Sequence, residues 1–162
     1  MMGLRVNPTG RRKEESMAAK NYTLNFDGYW RDNAKGSLPA QSGIYAVYAA
    51  TYDASNKTVT LKRLLYIGEA DDMRTRVGGH EYRPAWEKKL GLGEELCFSV
   101  AVIGPTADRQ QAEAAMINHH KPPCNVEYVN SFPFDTTGIT TSGKNALMTV
   151  TFTVYAQTRK VG

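Results

Sequence analysis

LLYIGEADDMRTRVGGH, residues 64–80, opens as an apolar strand ending in Tyr66-Ile67-Gly68 and runs into a charged segment with Arg76 and His80 four positions apart. Upstream, SGIYAVY, residues 42–48, sets a second tyrosine, Tyr45, beside a glycine in a similar apolar context. Side chains alternate between the two faces of a strand, so Ile44, Ala46 and Tyr48 share one face and Tyr45, Val47 and Ala49 the other. Residues 44–52 therefore read as a strand, 53–57 as a turn, and 58–67, rich in Val, Thr and Leu, as the returning strand. The long antiparallel hairpin that results allows Tyr45 and Tyr66 to sit near each other.

The same reasoning extends outward. Acidic residues at 69–72 suit the start of a helix over 71–77, where they complement its dipole. Gly78-Gly79 follows, so Arg76 and His80 share a helical face only if the helix continues that far. A second short helix is expected over 84–90, stopped by Gly91-Leu92-Gly93. LCFSVAVI, residues 96–103, has the character of a buried strand, and Thr106 is placed to cap a helix over 107–121 that Pro122-Pro123 ends. Toward the N-terminus, residues 22–26 alternate as a leading strand, and Asp27-Gly28 begins a polar loop running to Pro39. Residues 131–145, in Thr, Gly and Ser with Phe132 and Phe134 near their start, read as a loop. Met148, Val150, Phe152 and Val154 then alternate with threonines as a half-buried strand. No internal repeat or second domain is evident. These elements predict an α+β domain: a small antiparallel sheet of the two tyrosine-bearing strands plus a third, flanked by helices, with extra N- and C-terminal strands. The expected divisions are a flexible basic leader over 1–20, a central domain with its leading strand over 21–130, and a loop-and-strand extension over 131–162 packed on the same domain.

The chain has 162 residues, the length of one domain with arms, and is 41% apolar and 22% charged, as in an ordinary soluble globule. No run approaches the ~18 consecutive apolar residues needed to span a bilayer, and the first residues lack an apolar signal-peptide core. The expectation is a cytoplasmic protein with no membrane partner. Cys97 and Cys124 do not form a disulfide framework and read as free thiols in a reducing compartment. A net charge of +4 with pI ≈ 9.1 is compatible with a polyanionic partner but does not decide for one. Arg5, Arg11, Arg12 and Lys13 belong either to a disordered leader or to a basic arm on a phosphate backbone.

With these elements placed, the chain resembles the GIY-YIG nuclease family. Gly43-Ile44-Tyr45 and Tyr66-Ile67-Gly68 match the two naming motifs. Arg76 falls eight residues after Gly68 and His80 twelve after it, at the family's arginine and His/Tyr positions. Glu113, on the helix before Lys121-Pro122, matches the metal-binding glutamate, and Asn125 the asparagine that ends the core. The match runs from about Gly43 to Asn125, half of the chain. Six positions in order, on the expected kinds of element, make a joint signal that no single three-residue string carries. Two features depart from the pattern. The connection between the motifs is longer than in compact members, which costs little for a surface loop. Glu69 stands where some members carry a lysine, so an anion adjoins Tyr66.

The resemblance implies a metal-dependent endonuclease that hydrolyses DNA. Cleaving a phosphodiester requires a positioned water, neutralisation of the phosphoryl oxygens and help for the departing alkoxide. Glu113 would hold Mg²⁺ (or Mn²⁺), a hard cation suited to one carboxylate, waters and substrate oxygens. On position alone, Glu113 reads more readily as a solvated residue paired with Arg109 one turn earlier, and only the joint match of the six positions favours the metal ligand. Arg76 offers a planar fork for two phosphate oxygens. His80 would orient or deprotonate the water. Tyr45 and Tyr66 would activate or place that water; a phenol titrates near ~10 and needs a cation or hydrogen bond to act as a base. Which tyrosine does which is open. Asn125 is either a peg for the loop after the Glu113 helix or a phosphate contact. Lys62, Arg63, Arg74, Lys88 and Lys89 are candidates for backbone contacts. His119, His120 and Cys124 lack the arrangement of a zinc site. The alternative is a nucleic-acid-binding module of the same fold without turnover.

Overall fold

The computed structural model describes residues 19–157. The basic positions Arg5, Arg11, Arg12 and Lys13 lie outside them. Strands β1 (Lys20–Arg31), β2 (Gly43–Asp53), β3 (Thr58–Ala70), β4 (Glu95–Val102), β5 (Thr137–Gly143) and β6 (Thr151–Val154) form one six-stranded sheet in the order β3-β2-β4-β1-β5-β6. Helices α1 (Met73–Gly78) and α2 (Arg83–Glu87) follow the hairpin, and α3 (Thr106–His120) lies between β4 and β5. This is an α+β fold. Its sheet is mixed, however: β1 pairs with β5 in parallel, whereas its other side and the remaining pairs are antiparallel.

The sheet is covered on both faces, and the alternation along β2 decides which residue faces which cover. Ile44, Ala46 and Tyr48 join Phe26, Cys97, Ile139, Phe152 and the Ala112–Met116 side of α3 in one core. Tyr45, Val47 and Ala49 join Phe98, Met73 and Val77 of α1, and Trp86 of α2 in the other. Trp86 is fully buried, and truncating such a side chain typically costs about 3–5 kcal/mol.

Several local expectations are corrected. The leading strand does not stop at Asp27-Gly28; it continues to Arg31 through a register shift between Gly28 and Trp30 and pairs with β4. Gly28 has φ +154, and a Cβ there would stand 3.1 Å from the Phe98 carbonyl, so the glycine marks close strand approach inside the sheet. The expected loop over 131–145 contains β5, in which Thr137, Ile139 and Thr141 are buried. The last strand covers only Thr151–Val154: Met148, Phe152 and Val154 are buried, but Val150 is exposed. Thr106 is the first residue of α3, not its cap; Pro105 takes that place and makes no side-chain bond. Asp72 caps α1 instead, its carboxylate accepting from the Thr75 amide at 3.1 Å. Cys97 and Cys124 are free thiols. No described helix is long and apolar enough to cross a membrane.

Candidate active site

The register of the hairpin sets the two tyrosines. Tyr45 lies opposite Gly68 and Tyr66 opposite Val47, so the phenols are diagonal neighbours on one face, within reach of each other. Their rings stack at 6.2 Å between centroids and 28° between planes. Gly68 is what permits this: a Cβ at that position would fall on the Tyr45 phenol itself. Gly43 plays the corresponding part behind the strand, where a Cβ would meet the Ala101 carbonyl and the end of Met73.

Tyr45 is almost fully buried, and His80 lies beside it. Helix α1 ends at Gly78, so His80 reaches the site from the loop beyond the helix and not along its face. Its Nδ1 accepts from the Tyr82 amide at 3.0 Å, which leaves the proton of the neutral ring on Nε2, 2.9 Å from the Tyr45 hydroxyl. Burial, reinforced by Arg76, pushes the imidazole down to about 4, so the ring is neutral at pH 7. It therefore donates to the Tyr45 oxygen, and neither nitrogen is left to take a proton from water. Trp86 supports the ring from below, 4.5 Å between centroids.

Tyr45, Tyr66, Arg76 and Glu113 line one cleft of about 490 Å³. Glu69, Glu81 and Glu127 also line it, with Tyr82 and Tyr128 on its walls. The cleft opens beside edge strand β3, where α3 from one face of the sheet and the tyrosines from the other meet. Arg76 donates to Glu81 at 2.7 Å across a partly exposed pair. Glu113 does not pair with Arg109. That arginine is buried and donates to Glu69, to Asp71 and to the Gly104 carbonyl. The anion that adjoins Tyr66 is thus matched by a buried guanidinium.

Electrostatics at the site oppose ionisation of Glu113 and of both phenols. Burial, with Glu69 and Glu127 close by, raises the Glu113 carboxyl to about 8, against a hydrogen bond from the Glu69 amide and the Arg109 charge. Burial also carries both phenols well above the ordinary tyrosine range. Arg76 opposes the rise at Tyr45 and at Tyr66, while Glu113 adds to it. A carboxyl held in desolvated, acidic surroundings is a place where a cation would be accommodated. Among the described residues no three His, Cys, Asp or Glu side chains stand grouped as a complete metal cage. A cation on Glu113 would therefore draw its remaining donors from water and substrate.

Asn125 lies outside this cleft. Its amide pairs with the Ile67 backbone in both directions, accepting from the amide at 3.0 Å and donating to the carbonyl at 2.9 Å. It borders a recess of about 60 Å³ shared with Tyr66 and Glu113. Of the proposed backbone contacts, Arg63 is bound to Glu94 and the Lys89 carbonyl, and Arg74 donates to the Leu38 carbonyl. Lys62, Lys88 and Lys89 are exposed.

Comparison with protein-family models, curated proteins and solved structures finds no match for this chain.

Sequence reasoning missed Glu81, Glu127, Tyr82 and Trp86. Glu81 and Tyr82 directly follow His80, just beyond the stretch that singled out the histidine. Glu127 and Trp86 carry no local signal and reach the site only through the tertiary fold.

Proposed function

We propose that this chain is a metal-dependent endonuclease of the GIY-YIG type, hydrolysing phosphodiester bonds in DNA. The observation that carries the reading is the convergence of Tyr45, Tyr66, Arg76 and Glu113 on one cleft, with Gly68 vacated for the Tyr45 phenol. Glu113 would hold Mg²⁺ or Mn²⁺, and its desolvated, acidic setting supports that assignment. When bound, such an ion supplies Lewis-acid polarisation of the phosphate and charge for the leaving oxygen.

The remaining work falls to the chain's own groups. Arg76 exchanges Glu81 for two phosphate oxygens, a favourable swap because the surface pair is worth only about 0–1 kcal/mol. Burial raises the Tyr45 phenol, but the His80 N–H points at its oxygen and Arg76 stands near, two contacts that favour its ionised form. Once its own proton has been lost to solvent, the Tyr45 phenolate would accept the proton of the attacking water. Tyr66 orients that water or the phosphate. His80 acts through Tyr45, and Asn125 keeps the Tyr66 strand in place.

The test is plasmid nicking with Mg²⁺ by the wild type and by Glu113→Ala. Nicking by the wild type alone is expected. Equal, negligible nicking with DNA still bound by both proteins would favour a binding module of the same fold.

A further inference from the structure

The chain carries a net charge of only +4, so within residues 19–157 affinity for a polyanion depends on local clustering of charge. The cleft does not provide it: four glutamates face Arg76 there. At the other end of the β2–β3 hairpin a depression of about 390 Å³ has the opposite character. Its walls include Tyr29, Arg31, Tyr52, Lys57 and Lys144, and no carboxylate lines it.

The depression is built on fixed groups. Arg31 is committed to Glu95 through two bonds of 2.8 Å and lies 3.5 Å over the Tyr52 ring. The Tyr29 oxygen accepts from the Ala146 amide at 3.0 Å. Lys144 is anchored by its own amide on the Phe26 carbonyl at 2.8 Å, and its ammonium stands 6.0 Å from the Tyr29 centroid. The residue before it, Gly143, has φ +78, and a Cβ there would strike the Phe26 carbonyl. Lys57 sits at φ 54 in the hairpin turn. Neither lysine forms an ion pair with a described residue. Two free cations on a rigid aromatic floor suit the phosphates of a nucleic-acid strand, which lysine binds as a point charge.

Tyr45 and Tyr52 are seven residues apart on β2, about 23 Å along the strand at ~3.3 Å per residue, and face opposite sides of the sheet, so the depression and the cleft are separate surfaces. We propose that this depression is a second DNA-binding site, in which Lys57 and Lys144 hold backbone phosphates away from the bond cut in the cleft; its ligand rests on the nuclease reading above.

The test measures anisotropy of a labelled 20-base-pair duplex, without metal, between 50 and 200 mM salt. Losing two phosphate contacts should flatten the slope of log affinity against log salt by about 1.8 in Lys57→Ala/Lys144→Ala, so the wild type loses about 12-fold more affinity over that range. Lys57→Arg/Lys144→Arg should keep the wild-type slope, and all three proteins should melt alike because both positions are exposed. In nicking assays the alanine pair should raise KM about tenfold and leave kcat within twofold. A slope equal to that of the wild type, or no salt-dependent binding by the wild type, overturns the site. A flattened slope with no nicking by any variant keeps the site and ends the nuclease reading. Nicking with an unchanged slope does the reverse.

Discussion

Where the β2–β3 hairpin ends at Gly43 and Ala70, phenols and glutamates face a cleft; where it turns at Asp53 and Thr58, lysines and tyrosines border a depression without acids. One element thus carries two opposite electrostatic environments about 23 Å apart. The difference suggests a division of labour. A desolvated acidic cleft suits a bound cation but repels a phosphate backbone, so on the nuclease reading proposed above the holding of DNA would fall to another surface.

The largest effect is expected at Glu113, and it should have two signs. Glu113→Gln should lower nicking about 10³-fold by removing the charge that would hold the ion. The raised carboxyl means that the folded protein pays for ionisation as pH climbs from 4.5 through about 8. Metal-free Glu113→Gln should therefore be the more stable protein above pH 8, by about 1–3 kcal/mol, and Mg²⁺ should raise the melting temperature of the wild type only. Denaturant titrations with and without Mg²⁺ check both parts. A variant less stable than wild type at pH 8.5 would contradict the description of Glu113 as a desolvated carboxyl in acidic surroundings.

Next comes the phenol pair. Tyr45→Phe should lower kcat about 10²-fold, the usual scale for a lost general base, and Tyr66→Phe about tenfold. Gly68→Ala should match or exceed Tyr45→Phe, because the added methyl occupies the space of the Tyr45 phenol. Steady-state kinetics on the three proteins decides this. Equal losses at the two tyrosines would remove the distinction drawn from the His80 hydrogen bond.

The imidazole gives a smaller effect. A histidine held down to about 4 binds its proton less readily folded than unfolded, so its contribution is intact above pH 6.5 and fades as pH falls toward 4. Up to about 3 kcal/mol should be lost across that window. The profile is read on Glu113→Gln, which removes the opposing titration, and His80→Asn should flatten it. The smallest effect belongs to Glu81. Glu81→Ala frees Arg76 and should lower KM for DNA about threefold with kcat unchanged, consistent with an exposed pair.

The hairpin and its phenols were legible because two apolar, strand-forming runs flank a polar turn and the glycines lie beside the tyrosines, although two register shifts interrupt the pairing. Two strands were misread for physical reasons. Gly28 looked like a turn, but its missing side chain serves close packing against β4. β5 looked like a loop because its buried face mixes Ile139 with Thr137 and Thr141, whose hydroxyls find the Asp135 and Thr149 carbonyls. The parallel pairing of β5 with β1 joins segments more than a hundred residues apart, which no local pattern announces. At the site, residue types predicted the roles, whereas partners did not follow from spacing. Arg109 stands one turn before Glu113 yet serves Glu69 and Asp71.

Asn125 has a consequence beyond its neighbours. Its amide, with the Cys124 amide donating to the Leu65 carbonyl at 2.9 Å, imitates a further strand along the outer border of the hairpin. The Ile67 amide and carbonyl and the Leu65 carbonyl are thereby occupied, so this stretch of the sheet margin is closed to strand addition. A strand added to this edge would have to pair with the segment nearer the hairpin turn, away from the entrance to the cleft.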